Sequence, residues 1–159
     1  MNEKQEARRK KSLGELGELF AIKALVDQQF DKIRNLNDTK NNSPFFDLEA
    51  EKDGKQYLIT VKARNRNQKN GTINSSYKLG KDPQGRVEAA TAKGSIACWI
   101  AVQFDSMDYS LCFGKIEALG SRTRIPMDGK ITVEVGELWV KNKRHFIDWE
   151  WLTNESPSV

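Results

Sequence analysis

A chain of 159 residues, 38% apolar and 30% charged, is long enough to bury one hydrophobic core and short for two domains. Its aromatic and β-branched residues argue against a disordered chain. No apolar run is long enough to span a bilayer, and no hydrophobic stretch follows the basic start MNEKQEARRKKS, so we expect a cytoplasmic protein. Cys98 and Cys112 lie in apolar strand-like runs and are expected to be buried free thiols without a function.

The net charge of +4 is unevenly distributed along the chain. Residues 1–11 form a basic N-terminal arm with five Lys or Arg against two acids, and residues 62–93 contain eight against two. The remainder of the chain is therefore net acidic. Two basic segments on an acidic domain indicate either an anionic partner such as a nucleic acid or a merely solvated face, and charge alone does not decide between them.

Residues 12–29 have the pattern of a helix. Ser12 is placed to cap it and Glu15 to complete a capping box, while Leu13 and Phe20 belong to one apolar face. A second apolar stripe predicts that much of this helix is buried. A short strand near residues 32–36 and the turn-rich loop NDTKNNSP are expected to follow.

Two strand-like runs come next, separated by Asp53-Gly54, the favoured dipeptide of a two-residue type I′ turn. This turn sets the register so that Asp47 lies directly opposite Thr60. Lys62, two residues further on, projects from the same face of the sheet as Asp47, and so does Glu49. The other face is apolar: Phe46, Leu48, Ala50, Tyr57, Ile59 and Val61. The polar cluster has two interpretations, a catalytic site or the exposed side of a hairpin with a weak ion pair.

The rest of the chain continues as a mixture of strands and helices. Residues 65–83 look like a polar, basic loop, and residues 84–93 are compatible with a helix. The apolar run from Ile96 to Phe104 predicts a buried strand with an antiparallel partner after it. A further hairpin is expected around Asp128-Gly129, before an aromatic tail. This order predicts a single α/β domain over residues 1–159, with a mixed central sheet and a helix on each face.

The segment PFFDLEAEKDGKQYLITVKAR, residues 44–64, resembles the core motif of the PD-(D/E)XK nuclease superfamily. In that motif an Asp on one strand is followed, on the next strand, by an acid, a hydrophobic residue and a Lys. Asp47 matches the Asp, Val61 the hydrophobic residue and Lys62 the Lys, and Arg64 matches a basic residue often found just after. The resemblance implies a restriction-endonuclease-like fold, with the motif-bearing helix and hairpin in residues 12–64.

The preceding helix, GELGELFAIKAL, is similar to the first helix of the Holliday-junction-resolvase and small-endonuclease branch of the superfamily. In that branch a Gly-Glu pair supplies a further metal ligand. Gly17-Glu18 is matched to the pair, and Gly14-Glu15 is the competing match. Position 60 departs from the family pattern, because Thr60 replaces the second acid. Either Glu49 or the Val61 carbonyl then completes the ligands, or the site has lost its activity.

The resemblance implies a metal-dependent endonuclease that hydrolyses phosphodiester bonds in DNA. Glu18, Asp47 and the Val61 carbonyl would hold Mg²⁺, for which Mn²⁺ can substitute. Lys62 would orient or activate the attacking water or stabilise charge on the phosphate, and Thr60 would at most orient a water. Contacts to the DNA backbone are assigned to basic residues of the following loop: Arg64, Arg66, Lys69, Lys78 and Lys81.

Other protein classes are weighed against this interpretation. The sequence has no phosphate-cradling GxxxxGK[ST] motif, so no nucleotide cofactor is expected, and the lone His145 is too little for a histidine-based metal site. An enzyme of restriction, homing or junction-resolving kind would act as a homodimer or higher homo-oligomer, because cutting both strands needs two sites. The alternatives are a catalytically degenerate nucleic-acid-binding module of the same fold and an unrelated α/β interaction protein. RNA is the open alternative to DNA as substrate.

Overall fold

Three α-helices and eight β-strands form in the part of the chain that the computed structural model describes, residues 2–38, 45–80 and 82–145. In chain order they are α1 (Glu3–Asp27), β1 (Asp31–Asn35), β2 (Leu48–Lys52), β3 (Lys55–Asn65), β4 (Ser76–Lys78), α2 (Pro83–Ala92), β5 (Ser95–Asp105), β6 (Asp108–Lys115), β7 (Arg124–Pro126), α3 (Thr132–Val135) and β8 (Glu137–Arg144). Most of the loop NDTKNNSP, Lys81 and the aromatic tail with Phe146, Trp149 and Trp151 lie outside the described residues. No helix in the described ranges is long and apolar enough to cross a membrane.

Six strands form one mixed sheet in the order β1-β2-β3-β5-β6-β8, and β4 pairs with β7 in a separate two-stranded sheet. Neighbouring strands of the large sheet run antiparallel except β3 and β5, which are parallel along their full length. A parallel pair needs a crossover connection, and α2 lies within it. The predicted mixed sheet is confirmed.

The two faces of the sheet carry separate hydrophobic cores. On one face α1 packs through Leu13, Ala21 and Leu25 against residues such as Ile59 and Ile100. On the other face α2 packs through Ala90 against a cluster that includes Leu58, Tyr77 and the fully buried Trp99. The sheet thus has a helix on each face, as predicted, and β3 contributes alternate side chains to both cores.

Helix α1 begins nine residues earlier than the sequence pattern predicts, and Ser12 lies inside it. Asn2 caps the helix: its side chain accepts from the Gln5 N–H at 2.8 Å, and the Gln5 side chain accepts from the Asn2 N–H at 3.1 Å. This capping box satisfies N–H groups at the true N-terminus, and no helix breaker follows before residue 12. The predicted basic arm is therefore the first turns of a helix.

The hairpin of β2 and β3 has the predicted register, with Lys52 opposite Lys55 and Leu48 opposite Ile59. Its turn residues Asp53 and Gly54 have φ angles of 51° and 77°, as a type I′ turn requires. The predicted apolar face is also observed except at Phe46, which precedes β2 and packs in the core on the α2 side.

Of two expectations for the second half of the chain, one is wrong and the other is confirmed. The hairpin predicted around Asp128-Gly129 is wrong: β7 pairs with β4, and residues 132–135 form a helical turn. The Asp128 side chain accepts from the Ile131 N–H at 2.8 Å, so this Asp starts a helical turn instead of closing a hairpin. The thiols of Cys98 and Cys112 are free and buried, as predicted, and burial raises their pKa values to about 12 and about 11.

Candidate active site

Glu18 is placed beside the sheet by its neighbour Gly17. A Cβ atom on Gly17 would lie 2.5 Å from the Cβ of Ala63 on β3, too close for two carbon atoms. Glycine therefore allows α1 to pack directly on β3, and it leaves Glu18 half-buried at this contact. The competing match, Glu15, is exposed one turn away.

The backbone of Asp47 extends the pairing of β2 with β3 by one residue. Beyond that point the Asp47 side chain, and no longer the backbone, bonds to β3. Its backbone N–H donates to the Ile59 carbonyl at 2.9 Å, and its Oδ2 accepts from the Val61 N–H at 2.8 Å. The N–H and C=O of one strand residue point toward the same neighbouring strand. The Val61 carbonyl therefore lies on the edge of β3 that Asp47 occupies.

The carboxylates of Glu18 and Asp47 converge on one amide. Asn37 Nδ2 donates to Glu18 Oε1 at 2.8 Å and to Asp47 Oδ1 at 3.2 Å. Asn35 Nδ2 donates to the other oxygen of Glu18 at 3.2 Å. Burial raises the pKa of Glu18, opposed by the hydrogen bond from Asn35 and assisted by the negative charge of Asp47. Sequence patterns gave no indication of these asparagines, which are brought in by the pairing of β1 with β2.

A hard divalent cation fits this donor set. The two carboxylates already accept hydrogen bonds from the same amide nitrogen, Asn37 Nδ2, and Mg²⁺ is commonly held by one or two carboxylates with water and phosphate as further ligands. No group of three or more His, Cys, Asp or Glu side chains in the described ranges is placed to hold a metal. Water and phosphate would then supply the remaining ligands of an ion held by these two carboxylates.

Lys62 lies on β3, one residue after Val61. Its half-buried amine has a lowered pKa, first because of burial and then because of the positive charges of Arg64 and Arg86, while Asp47 acts in the opposite direction. Ion pairs between described side chains do not include Lys62. The amine is therefore close enough to sense Asp47 electrostatically without being held in contact with it.

Thr60 is buried and hydrogen-bonded within the protein. The side chain is 2% exposed, its hydroxyl donates to the Phe45 carbonyl at 2.7 Å, and it accepts from Arg86 Nη1 at 3.0 Å. The hydroxyl is therefore bonded to two groups of the protein, and its role in orienting a water stays a prediction. Glu49, the other candidate ligand, forms an ion pair with Arg34 at 3.0 Å.

A cleft of about 710 Å³ lies between the first turns of α1 and the segment after β3. Its lining is basic and rich in amides: Glu6, Arg9, Lys10, Leu13, Arg64, Asn65, Asn67, Gln68, Lys69, Asn70 and Asn74. Of the predicted nucleic-acid contacts, Arg64 and Lys69 line this cleft. Arg66 lies outside the cleft and pairs with Asp105 at 3.1 Å, and Lys78 is exposed on β4.

The mixed sheet, with one helix on each face and strand β3 of the motif hairpin in its middle, has the architecture of restriction-endonuclease-like proteins. Among solved structures, the chain is similar to Hjc, a Holliday junction resolvase from the archaeal hyperthermophile Archaeoglobus fulgidus, with a TM-score of 0.54 and 18% sequence identity. The match covers 79% of this chain and 95% of that chain. No protein-family model and no curated protein matches. The likeness confirms the fold that the motif predicted.

Proposed function

We propose that the protein is a metal-dependent endonuclease that hydrolyses phosphodiester bonds in DNA, of junction-resolving, restriction or homing kind. The observation that carries the proposal is the convergence of Glu18 and Asp47 beside Lys62. These residues come from α1, the start of the hairpin and β3, and they meet in a fold similar to that of a resolvase.

Glu18, Asp47 and the Val61 carbonyl would hold Mg²⁺ or Mn²⁺, which supplies a Lewis acid beside the scissile phosphate. Lys62 acts on the attacking water or on the charge that develops on the phosphate. Because its pKa is lowered, a larger fraction of the amine is unprotonated near neutral pH than in an exposed lysine. Asn35 and Asn37 hold the two carboxylates in position until the ion binds.

The DNA backbone is proposed to follow the cleft between α1 and the segment after β3. Arg9, Lys10, Arg64 and Lys69 place positive charge on both walls, within the reach of one phosphate backbone. The amide side chains in the same lining suit contacts to base edges. Lys62 and Arg64 lie on the same strand, so the proposed backbone track begins next to the candidate site. Two such sites in a homodimer would cut both strands of a duplex.

The test is cleavage of DNA by the purified chain. Supercoiled plasmid, linear duplex and a four-way junction are incubated with the protein in Mg²⁺, in Mn²⁺ and in chelator. We expect cleavage with either ion and none with chelator, and Asp47→Ala purified in parallel controls for a contaminating nuclease. Equal cleavage by the parent and Asp47→Ala would contradict the proposal. Comparison of the three substrates identifies the kind of endonuclease, and an RNA duplex tests the open alternative.

One observation favours a second candidate function, a nucleic-acid-binding module without catalysis. The family's second acid is absent, and the residue in its place, Thr60, is bonded to Arg86 and the Phe45 carbonyl. This alternative predicts salt-sensitive DNA binding that is independent of metal, with no cleavage in either ion. The cleavage assay together with a binding assay at two salt concentrations separates the two functions.

A further inference from the structure

Arg86 is a buried cation next to the candidate active site to which the sequence pattern assigns no role. It lies on α2 and is 8% exposed. Its Nη1 donates to the Phe45 carbonyl and to the Thr60 hydroxyl, the latter at 3.0 Å, and its guanidinium lies 5.3 Å from the centre of the Phe45 ring. A charged group is costly to bury unless it is well bonded, so this arrangement indicates a specific role.

The three groups form a closed network. Arg86 donates to both Phe45 and Thr60, and the Thr60 hydroxyl donates to the same Phe45 carbonyl at 2.7 Å. The network joins α2, β3 and the segment that leads into β2. Asp47 stands two residues after Phe45, and its carboxylate is bonded to the Val61 N–H. The chain on both sides of Asp47 is therefore tied to β3.

The absence of a side chain at Gly80 leaves space for the guanidinium of Arg86. Gly80 has a φ of +115°, and a Cβ there would lie 2.6 Å from Arg86 Nη2. Any larger residue at position 80 would displace the guanidinium as well as strain the backbone. Asp82 caps α2 by accepting from the Gly85 N–H at 3.0 Å, which fixes the turn of helix that carries Arg86.

Threonine can bond to both partners of this network. The Thr60 hydroxyl both donates, to the Phe45 carbonyl, and accepts, from Arg86. An ionised carboxylate only accepts, so at position 60 it would face the Phe45 carbonyl without a proton to share. Thr60 and Arg86 are thus a matched pair.

We propose that Arg86 is a positioning residue of the candidate active site, which together with Thr60 fixes the chain leading into Asp47. The proposal rests on the proposed function for its chemical meaning. Positioning of Asp47 can nevertheless be measured without any cleavage, because the Val61 N–H reports whether the carboxylate is in place.

Hydrogen exchange of the Val61 amide, followed by NMR on the full chain, is the direct test. Arg86→Ala, Arg86→Lys, Thr60→Val and Thr60→Ser are compared with the parent, and the control Arg144→Ala removes the same charge from the exposed end of β8. We expect exchange at Val61 to accelerate about 10-fold or more in Arg86→Ala and Thr60→Val, while amides of β5 and β6 change little. Thr60→Ser and Arg144→Ala should match the parent, with Arg86→Lys between.

Unchanged exchange at Val61 in both Arg86→Ala and Thr60→Val overturns the proposal. So does acceleration that is equal at Val61 and at the β5 and β6 amides, because it shows general destabilisation. Should Arg86→Ala fail to fold, Thr60→Val decides the matter, since it removes one hydroxyl and leaves the guanidinium bonded to the Phe45 carbonyl.

Cleavage kinetics then separate this proposal from the proposed function. If the parent cuts DNA, Arg86→Ala is expected to lower kcat by about 100-fold, because a displacement of about 1 Å at a catalytic group costs that much. Its KM for DNA should stay within about threefold, since Arg86 is buried away from the cleft. If the parent does not cut, the proposed function fails while the exchange result still decides whether Arg86 positions Asp47.

Discussion

In the candidate active site, Glu18 and Asp47 accept hydrogen bonds from neutral groups, the amides of Asn35 and Asn37 and a backbone N–H. In the neighbouring cleft, Glu6 is instead bonded to two cations, Arg9 and Lys69. Neutral donors hold carboxylates in place without cancelling their charge, whereas the charge of Glu6 is offset by the two cations bonded to it, and the remaining cations keep the cleft basic. Substitutions in the site should therefore change the rate, and substitutions in the cleft should change the affinity and its dependence on salt.

The largest effect is expected from Asp47→Asn. The amide oxygen can still accept from the Val61 N–H, but the negative charge is lost, so a divalent cation loses one of its two carboxylates. We expect Mg²⁺-dependent cleavage to fall about 10³-fold or more, with DNA affinity unchanged or tighter. Asp31→Asn, at an exposed position on β1, is the matched control for charge and should leave cleavage unchanged. If Asp47→Asn lowered DNA affinity as much as it lowered the cleavage rate, the site and the cleft would not have separate effects on rate and affinity.

Lys62→Met should have the next largest effect. Methionine keeps most of the apolar stem of the half-buried side chain and removes the amine that acts on the water or on the phosphate. Cleavage should fall by about 10² to 10⁴-fold, while Mn²⁺ binding, measured by calorimetry, stays close to that of the parent. Lys55→Met makes the same substitution at the exposed start of β3 and should cut normally. If Lys62→Met cuts as well as the parent does, the amine has no part in the chemistry.

The parts of the site that follow from short-range rules could be predicted from the sequence. Asp53-Gly54 adopts the positive φ angles of a type I′ turn, and this one turn sets the register that brings Asp47 beside Val61. The fold class followed from the same hairpin and the order of elements, and the fold comparison confirms it. The prediction that Ser12 caps the helix was wrong, because the helix begins earlier, at the cap formed by Asn2.

The partners that complete the site come from pairings that local patterns do not encode. Asn35 and Asn37 reach Glu18 and Asp47 only because β1 pairs with β2. Arg86 reaches Phe45 only because the crossover from β3 to β5 places α2 over this end of the sheet. A lone Arg on a short helix looks like any surface cation in sequence, and its burial is a tertiary property.

A smaller effect is expected for the basic residues of the cleft. Arg64→Ala and Lys69→Ala should each flatten the dependence of log affinity on log salt by about 0.9 for a lost phosphate contact on duplex DNA. Arg66→Ala is the matched control, because Arg66 lies outside the cleft and is already paired with Asp105. Fluorescence anisotropy between about 50 and 200 mM salt measures the slopes. A slope that changes as much in Arg66→Ala as in Arg64→Ala would show that the cleft is not the track of the phosphates.

The smallest effect, and the sharpest test of how the cleft uses its charges, is expected from Glu6→Gln. Glu6 accepts hydrogen bonds from Arg9 and from Lys69, the latter at 3.1 Å, so it occupies two of the four cations that line the cleft. Removal of its charge should tighten DNA binding by up to about fivefold, the range of a partly exposed ion pair. Glu3→Gln, on the same helix and exposed, is the matched control and should change the affinity less.

The effect of Glu6→Gln should also be independent of pH across the neutral range. Hydrogen bonds from Arg9 and then Lys69 lower the pKa of Glu6 to about 2. A carboxyl group with a lowered pKa keeps its ion pairs above the ordinary value for Glu and loses them only as the pH falls toward its own pKa. The ratio of the variant's DNA affinity to that of the parent should therefore be the same at about pH 6 and about pH 8. Weaker binding by Glu6→Gln would show instead that Glu6 holds Lys69 in place for the DNA and does not compete with the phosphate.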